Sequence, residues 1–186
     1  MGGTTPQQYE VLDEQGHKTG QILDRDTIHQ KEFWHEVVNV WIVNTQGDVL
    51  LQLRGPQVDL APNVWDVAIG SHVRPAEDPI ASAQRCLRTE LGISITPDQL
   101  KHLFNIQSAN PAQQGRQHKT LGHVFLLKRD INLSECTVDP NKIAKLVWRP
   151  LIQVMADIGN SETSTLYFPR SGNYYPQLFE ALEAGV

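Results

Sequence analysis

The chain has 186 residues and a mass of 20.9 kDa, the size of one ordinary domain, and its 40% hydrophobic and 20% charged content excludes wholesale disorder. With 16 basic against 21 acidic residues the net charge is −5, which argues against a broad nucleic-acid footprint but not against a local phosphate pocket. No apolar run reaches the ~18 residues of a membrane helix. The opening Met1-Gly2-Gly3-Thr4 has no signal-peptide character, and Cys86 and Cys136 are too few for a disulfide scaffold or a four-thiolate zinc site. The expectation is a cytoplasmic protein with no membrane or nucleic-acid partner.

The first eight residues read as a flexible tail, and residues 9–186 as a single domain. Val11-Leu12-Asp13 and Gln21-Ile22-Leu23 flank a stretch rich in turn formers and predict a hairpin. His29 and His35 then fall in a segment with few helix or strand cues, expected as a loop. Glu36 to Val43 reads as a strand, turned by Asn44-Thr45-Gln46-Gly47-Asp48 into a second strand from Val49 to Leu53. A loop with Pro56 and Pro62 precedes a short strand, Val64 to Ile69. Residues 79–91 carry the strongest helical signal: Ile80, Ala83, Leu87 and Leu91 share one stripe, Pro79 suits a first turn and Gly92 a stop. Strands at 101–107, 120–128 and 145–149 follow. A helix from Leu151 to about Asp157 and a last helix from Pro176 to Ala184 complete the chain. Strands outnumber helices without alternating with them, so the class is α+β, a mixed sheet flanked by helices.

The stretch Ser71 to Ile93, SHVRPAEDPIASAQRCLRTELGI, resembles the Nudix box, G-x5-E-x7-R-E-U-x-E-E-x-G-U with U apolar. Glu77, Arg85, Leu87, Glu90, Gly92 and Ile93 match, while Ser71 replaces the opening Gly, and Cys86 and Thr89 replace two acidic residues. Positions 86, 89 and 90 lie three and four residues apart and are expected on one helix flank beside the buried stripe. In the family that flank carries carboxylates, which hold Mg²⁺ or Mn²⁺ against a diphosphate and activate water. The resemblance implies a Nudix-type α/β/α sandwich with Glu90, Glu77 and Arg85 as candidate catalytic residues. Arg85 is read as orienting the box loop through a carboxylate, and Cys86 as a packing residue.

From about Val11 to Trp148 the chain also resembles one branch of that superfamily, the type I isopentenyl-diphosphate delta-isomerases. The matching pieces include Asp26-Thr27-Ile28-His29, Trp34-His35, Leu50-Leu51-Gln52-Leu53-Arg54, Ser71-His72 and Arg85-Cys86-Leu87-Arg88-Thr89-Glu90. The resemblance implies metal ligation by His29, His35 and His72, and diphosphate contacts from Arg25 and Arg54; a third cationic position has become Val58. The isomerase chemistry does not carry over, because Gly70 stands in place of a catalytic Cys, and His118 and Thr120 in place of two carboxylates. His118 could join the other histidines, and Glu90 could add an oxygen; such a nitrogen-rich site favours Zn²⁺ or another transition metal over Mg²⁺. Three readings stay open, in this order. The first is a metal-dependent hydrolase of a diphosphate-containing small molecule, weakened by the lost carboxylates. The second is an inactive diphosphate- or metal-binding protein, and the third an isoprenoid-diphosphate isomerase. A homodimer stays open, and the loops Asn110 to Arg116 and Thr163 to Asn173 are expected to recognise the rest of the substrate.

Overall fold

The chain opens with a hairpin, β1 (Gln8–Leu12) and β2 (Lys18–Asp24), in a computed structural model that describes residues 7–111 and 116–184. Strand β1 begins inside the expected tail, of which residues 1–6 lie outside the described residues, as do 112–115 of the first recognition loop. The hairpin forms a two-stranded sheet of its own. Helix α1 (Arg25–Gln30) follows, capped by the Asp24 carboxylate, which accepts from the Thr27 N–H at 2.9 Å. The expected loop around His29 and His35 is therefore corrected: His29 lies on α1, and His35 opens strand β3 (His35–Val43). Tyr9, Val11 and Ile28 bury a small core under this cap, which the Leu12 N–H joins to the Trp34 carbonyl at 2.8 Å.

The main sheet adds β4 (Asp48–Arg54), β5 (Trp65–Val67), β6 (Ile69–His72), β7 (Leu100–Pro111), β8 (Gln117–Lys128) and β9 (Ile143–Pro150). The single strand expected over Val64 to Ile69 is in fact two, because β5 pairs with β4 whereas β6 pairs with β3. The order is β5-β4-β3-β8-β7, with β6 added to β3 and β9 to β4; β3 and β8 run parallel, so the sheet is mixed. Alternation along β3 separates two cores. Val38, Val40 and Ile42 pack towards helix α2 (Pro79–Leu91), while Trp41 and Val43 pack with Val154 of α3 (Leu151–Gly159) and with Tyr174, Leu178 and Leu182 of α4 (Tyr174–Glu183). Helices thus cover both sides of the sheet. No helix among the described residues is long and apolar enough to cross a membrane.

Helix α2 occupies the residues its signals predict. Asp78 caps it by accepting from the Ile80 and Ala81 N–H groups, and Gly92 closes it in the left-handed conformation at φ 76°. Its rotation differs from expectation. The buried face is Ser82, Ala83, Cys86, Leu87 and Leu91, and Ile80 is 37% exposed. Ser82 takes the inward place in the first turn because its hydroxyl bonds Glu77. Cys86 is accordingly a core residue and not part of an open flank. Arg85 grips Glu77 with two bonds of 2.8 Å and reaches the His72 carbonyl at 3.2 Å, tying the helix to the loop before it and to the end of β6.

Leu87→Ala is expected to cost about 2–5 kcal/mol of unfolding free energy in urea, whereas Ile80→Ala costs well under that. Equal losses would contradict this rotation of α2. Burial raises the Glu77 pKa, but bonds from Arg85 and Ser82 outweigh it and hold the carboxyl at about 2. A carboxylate depressed in the folded state stabilises fully above its ordinary range, near pH 4.5, and loses that contribution as pH falls towards 2. Glu77→Gln should therefore be less stable at pH 7, and the gap to wild type should narrow steadily in unfolding curves taken below pH 4.5.

Candidate functional site

Strand register assembles three histidines before any loop is considered. His35 stands opposite Thr120 in the parallel β3–β8 pair, so His118, two residues earlier on β8, projects from the same face. His72 ends β6 opposite Val37, two residues beyond His35 and again on that face. Helix α1 brings the fourth, His29, across from the hairpin cap. One ring nitrogen from each of His29, His35, His72 and His118 lies within 4.8 Å of all the others.

The closest contacts within this group run through His29. His29 Nε2 is 3.1 Å from His72 Nε2 and 3.2 Å from His118 Nε2. Those separations approach the edge of a tetrahedron, about 3.3 Å for nitrogens ~2.0 Å from a central zinc. His35 donates from Nδ1 to the Phe33 carbonyl at 2.9 Å, since a carbonyl can only accept. That fixes the tautomer and turns the lone pair to Nε2, which is buried with no partner among the described residues. Tyr9 stacks on His72 at 4.6 Å and holds that ring from the cap side.

All four rings are neutral at pH 7. Burial comes first in every case, and neighbouring charge adds to it. His29, beside Arg25, is held at about 4, and His35 at about 4 despite its bond to Phe33. His118, beside His35, His29, Arg25 and Arg54, is at about 2, and His72 lies well below the ordinary imidazole value.

A cavity of about 860 Å³ opens on the cluster, and Arg25, Arg54, Thr89 and Glu90 share its lining with His29, His72 and His118. Glu90 is outside the four-histidine group; burial raises its pKa, while Ser71 bonds it. Glu77 and Arg85 are occupied with each other at the box loop. Arg25 pairs with Asp59 at 2.5 Å. Arg54 is only 16% exposed, donates to the Leu60 and Ala61 carbonyls, and meets Asp66 at 3.1 Å. At position 86, where the box pattern places a carboxylate, the side chain points into the core, where burial pushes the Cys86 thiol up to about 11.

Sequence reasoning passed over Asp66, Arg170, Phe168 and Tyr9, all of which line the same cavity. Asp66 had a signal, a lone charge inside the apolar run Val64 to Ile69. Arg170 and Phe168 lie in the Thr163 to Asn173 segment, whose composition names no role.

Comparison with known proteins agrees with this architecture. The model of the NUDIX domain matches residues 34–167. The chain is 36% identical over 97 residues to Nudix hydrolase 3 of Arabidopsis thaliana, a match covering 52% of this chain but 13% of the plant protein. It is 27% identical over 117 residues to an isopentenyl-diphosphate Delta-isomerase of Pectobacterium atrosepticum, 62% of each chain. A crystal structure of a Deinococcus radiodurans protein superimposes with a TM-score of 0.68 over 96% of this chain and 98% of that one, at 24% identity, a likeness of fold. With the domain match spanning the main sheet, the box helix and α3, this chain belongs to the Nudix superfamily and is related to its isopentenyl-diphosphate isomerase branch.

Proposed function

We propose that the cavity holds a transition metal on His29, His35, His72 and His118 and hydrolyses a small molecule containing a diphosphate, such as a nucleoside diphosphate linked to another group. The observation that carries this reading is the convergence of four neutral imidazoles on one point. The donor set fits such an ion: the unpartnered His35 Nε2 supplies a lone pair, and the Phe33 carbonyl behind it is the outer support that metal-binding histidines use. All-nitrogen donors favour Zn²⁺ or another borderline metal; Mg²⁺ or Mn²⁺, which the superfamily uses, prefers oxygen and suits a place near Glu90, carried in by the diphosphate. A bound ion would neutralise charge building on the phosphoryl oxygens.

The residues of the chain divide the remaining work. Arg25 and Arg54 hold phosphate oxygens and fix the substrate in line for attack. Glu90 takes a proton from the attacking water as the new bond to phosphorus forms. The bridging P–O bond breaks, and its electron pair leaves with the departing phosphate. A carboxyl raised by burial is the stronger base for that step. Binding without turnover is favoured by one specific feature, the burial of Cys86, since a carboxylate restored there would enter the core. An isomerase lacks its proton donor here: Gly70 has room for a side chain, the nearest atom being 3.6 Å from an added Cβ, yet carries none.

Elemental analysis of the purified protein, with phosphate release measured over a panel of diphosphates, tests the reading. His72→Ala should weaken metal binding by more than the roughly 10–100-fold that loss of an outer support costs. Glu90→Gln should keep the metal and lose hydrolysis; unchanged turnover would place catalysis elsewhere, and a metal-loaded wild type without turnover would leave the binding reading. Protons compete for the folded site only near the depressed values of about 4 for His29 and His35. The metal should therefore stay bound as pH falls through ~6.5, where free imidazoles protonate, and leave nearer pH 4.

A further inference from the structure

Asp66 carries two guanidinium groups at once. Its Oδ1 accepts from Arg170 Nη2 at 2.6 Å and from the Val67 N–H at 2.8 Å, and its Oδ2 accepts from Arg54 Nη1 at 3.1 Å. The three side chains are 3%, 9% and 16% exposed, for Asp66, Arg170 and Arg54 in turn. One negative charge thus serves two positive ones, leaving an excess cation at the cavity wall. Arg54 spends further donors on the Leu60 and Ala61 carbonyls. Arg170 also bonds the Tyr175 hydroxyl, but its Nε is buried without a partner among the described residues. The rings of Phe168 and Tyr174 lie 4.8 and 4.5 Å from its guanidinium carbon, and the Tyr175 hydroxyl lies beside it.

This arginine is also held in position. The Ser171 N–H donates to Asn110 Oδ1 at 2.7 Å, and the Ala109 N–H donates to Ser171 Oγ at 3.1 Å, fastening the Arg170 segment to the end of β7. Asn110 is the register partner of His118. The guanidinium pair and the histidines therefore occupy one end of the sheet and line one cavity. A buried excess charge with an unused donor is costly unless an anion meets it.

We propose that Arg170, with Arg54 and their shared Asp66, forms an anion subsite that takes the second phosphoryl group of a diphosphate while the first lies at the histidines. Asp66 keeps the two guanidinium groups side by side when no ligand is present. The subsite rests on the reading of this cavity as a diphosphate site, and it adds a binding residue from outside the box and outside the matching segments.

The test is calorimetric titration of pyrophosphate into the protein as purified, with metal content measured on the same samples. Arg170→Gln should fold and keep its metal, because Arg54 remains to neutralise Asp66. Its pyrophosphate affinity should fall about 10–100-fold, the loss of one charge-assisted bond. Arg170→Lys, with the charge but not the fork, should recover part of that loss. Wild-type affinity in Arg170→Gln, or in Arg170→Lys if the first does not fold, would overturn the subsite and leave Arg170 as a counter-charge to Asp66. Metal-loaded wild type that does not bind pyrophosphate would overturn the subsite and leave the metal site standing. Metal-free protein whose pyrophosphate binding still depends on Arg170 would sink the metal reading and keep the subsite.

Discussion

Strand β3 has two edges and three partners. Strand β8 takes one edge along its whole length, from His35 opposite Thr120 to Val43 opposite Lys128. Strands β4 and β6 must share the other: β4 is paired at Val43↔Val49, and β6 over Val37 to Val40. A backbone edge can satisfy one neighbour at a time, so β4 leaves β3 after the hairpin turn and carries β5 and β9 with it. The divergence opens the sheet at the level where polar side chains are buried. Asn39, Gln52 and Asp66 all sit there, and Gln52 bonds the Val67 and Ala68 carbonyls to close part of the gap. The cavity is the space that this competition for an edge leaves behind.

The chemistry of the cavity follows from which residues fill that space. Imidazoles can crowd together when neutral, whereas carboxylates at the same separations would repel one another or take up protons. His118 and Thr120 place no negative charge on one wall, while Arg25 and Arg54 lie near it and act on the His118 imidazole through space. The result is a neutral nitrogen cluster with two guanidinium groups near it, within a chain whose overall charge is −5.

Local signals make some of this legible in the sequence. Pro79 and Gly92 bracket α2 to the residue, because the signals at helix ends are chemistry of the chain ends themselves. The rotation of α2 is not legible from the apolar stripe, since a buried Ser82 depends on Glu77, a partner outside the helix. The break between β5 and β6 escapes for a similar reason: an unbroken apolar run says nothing about which neighbours two halves will choose. Helix α1, with six residues, is too short for periodicity to register, so His29 is misplaced in a loop. The histidines stand out only through resemblance to a family. Arg170 has no signal at all, because its meaning lies in Asp66, over a hundred residues away in sequence but 2.6 Å away in space.

The hairpin cap is a separate small sheet with its own core of Tyr9, Val11 and Ile28, joined to the main sheet by the Leu12–Trp34 bridge. Two-stranded units are marginal alone, so the cap is the kind of element that opens before the rest unfolds. His29 travels with it, whereas His35, His72 and His118 are built into strands. An ion held on the proposed four-histidine site would link the hairpin cap to the main sheet. Its grip is reduced by the cost of seating the cap, and the cap in turn borrows stability from what it helps to hold.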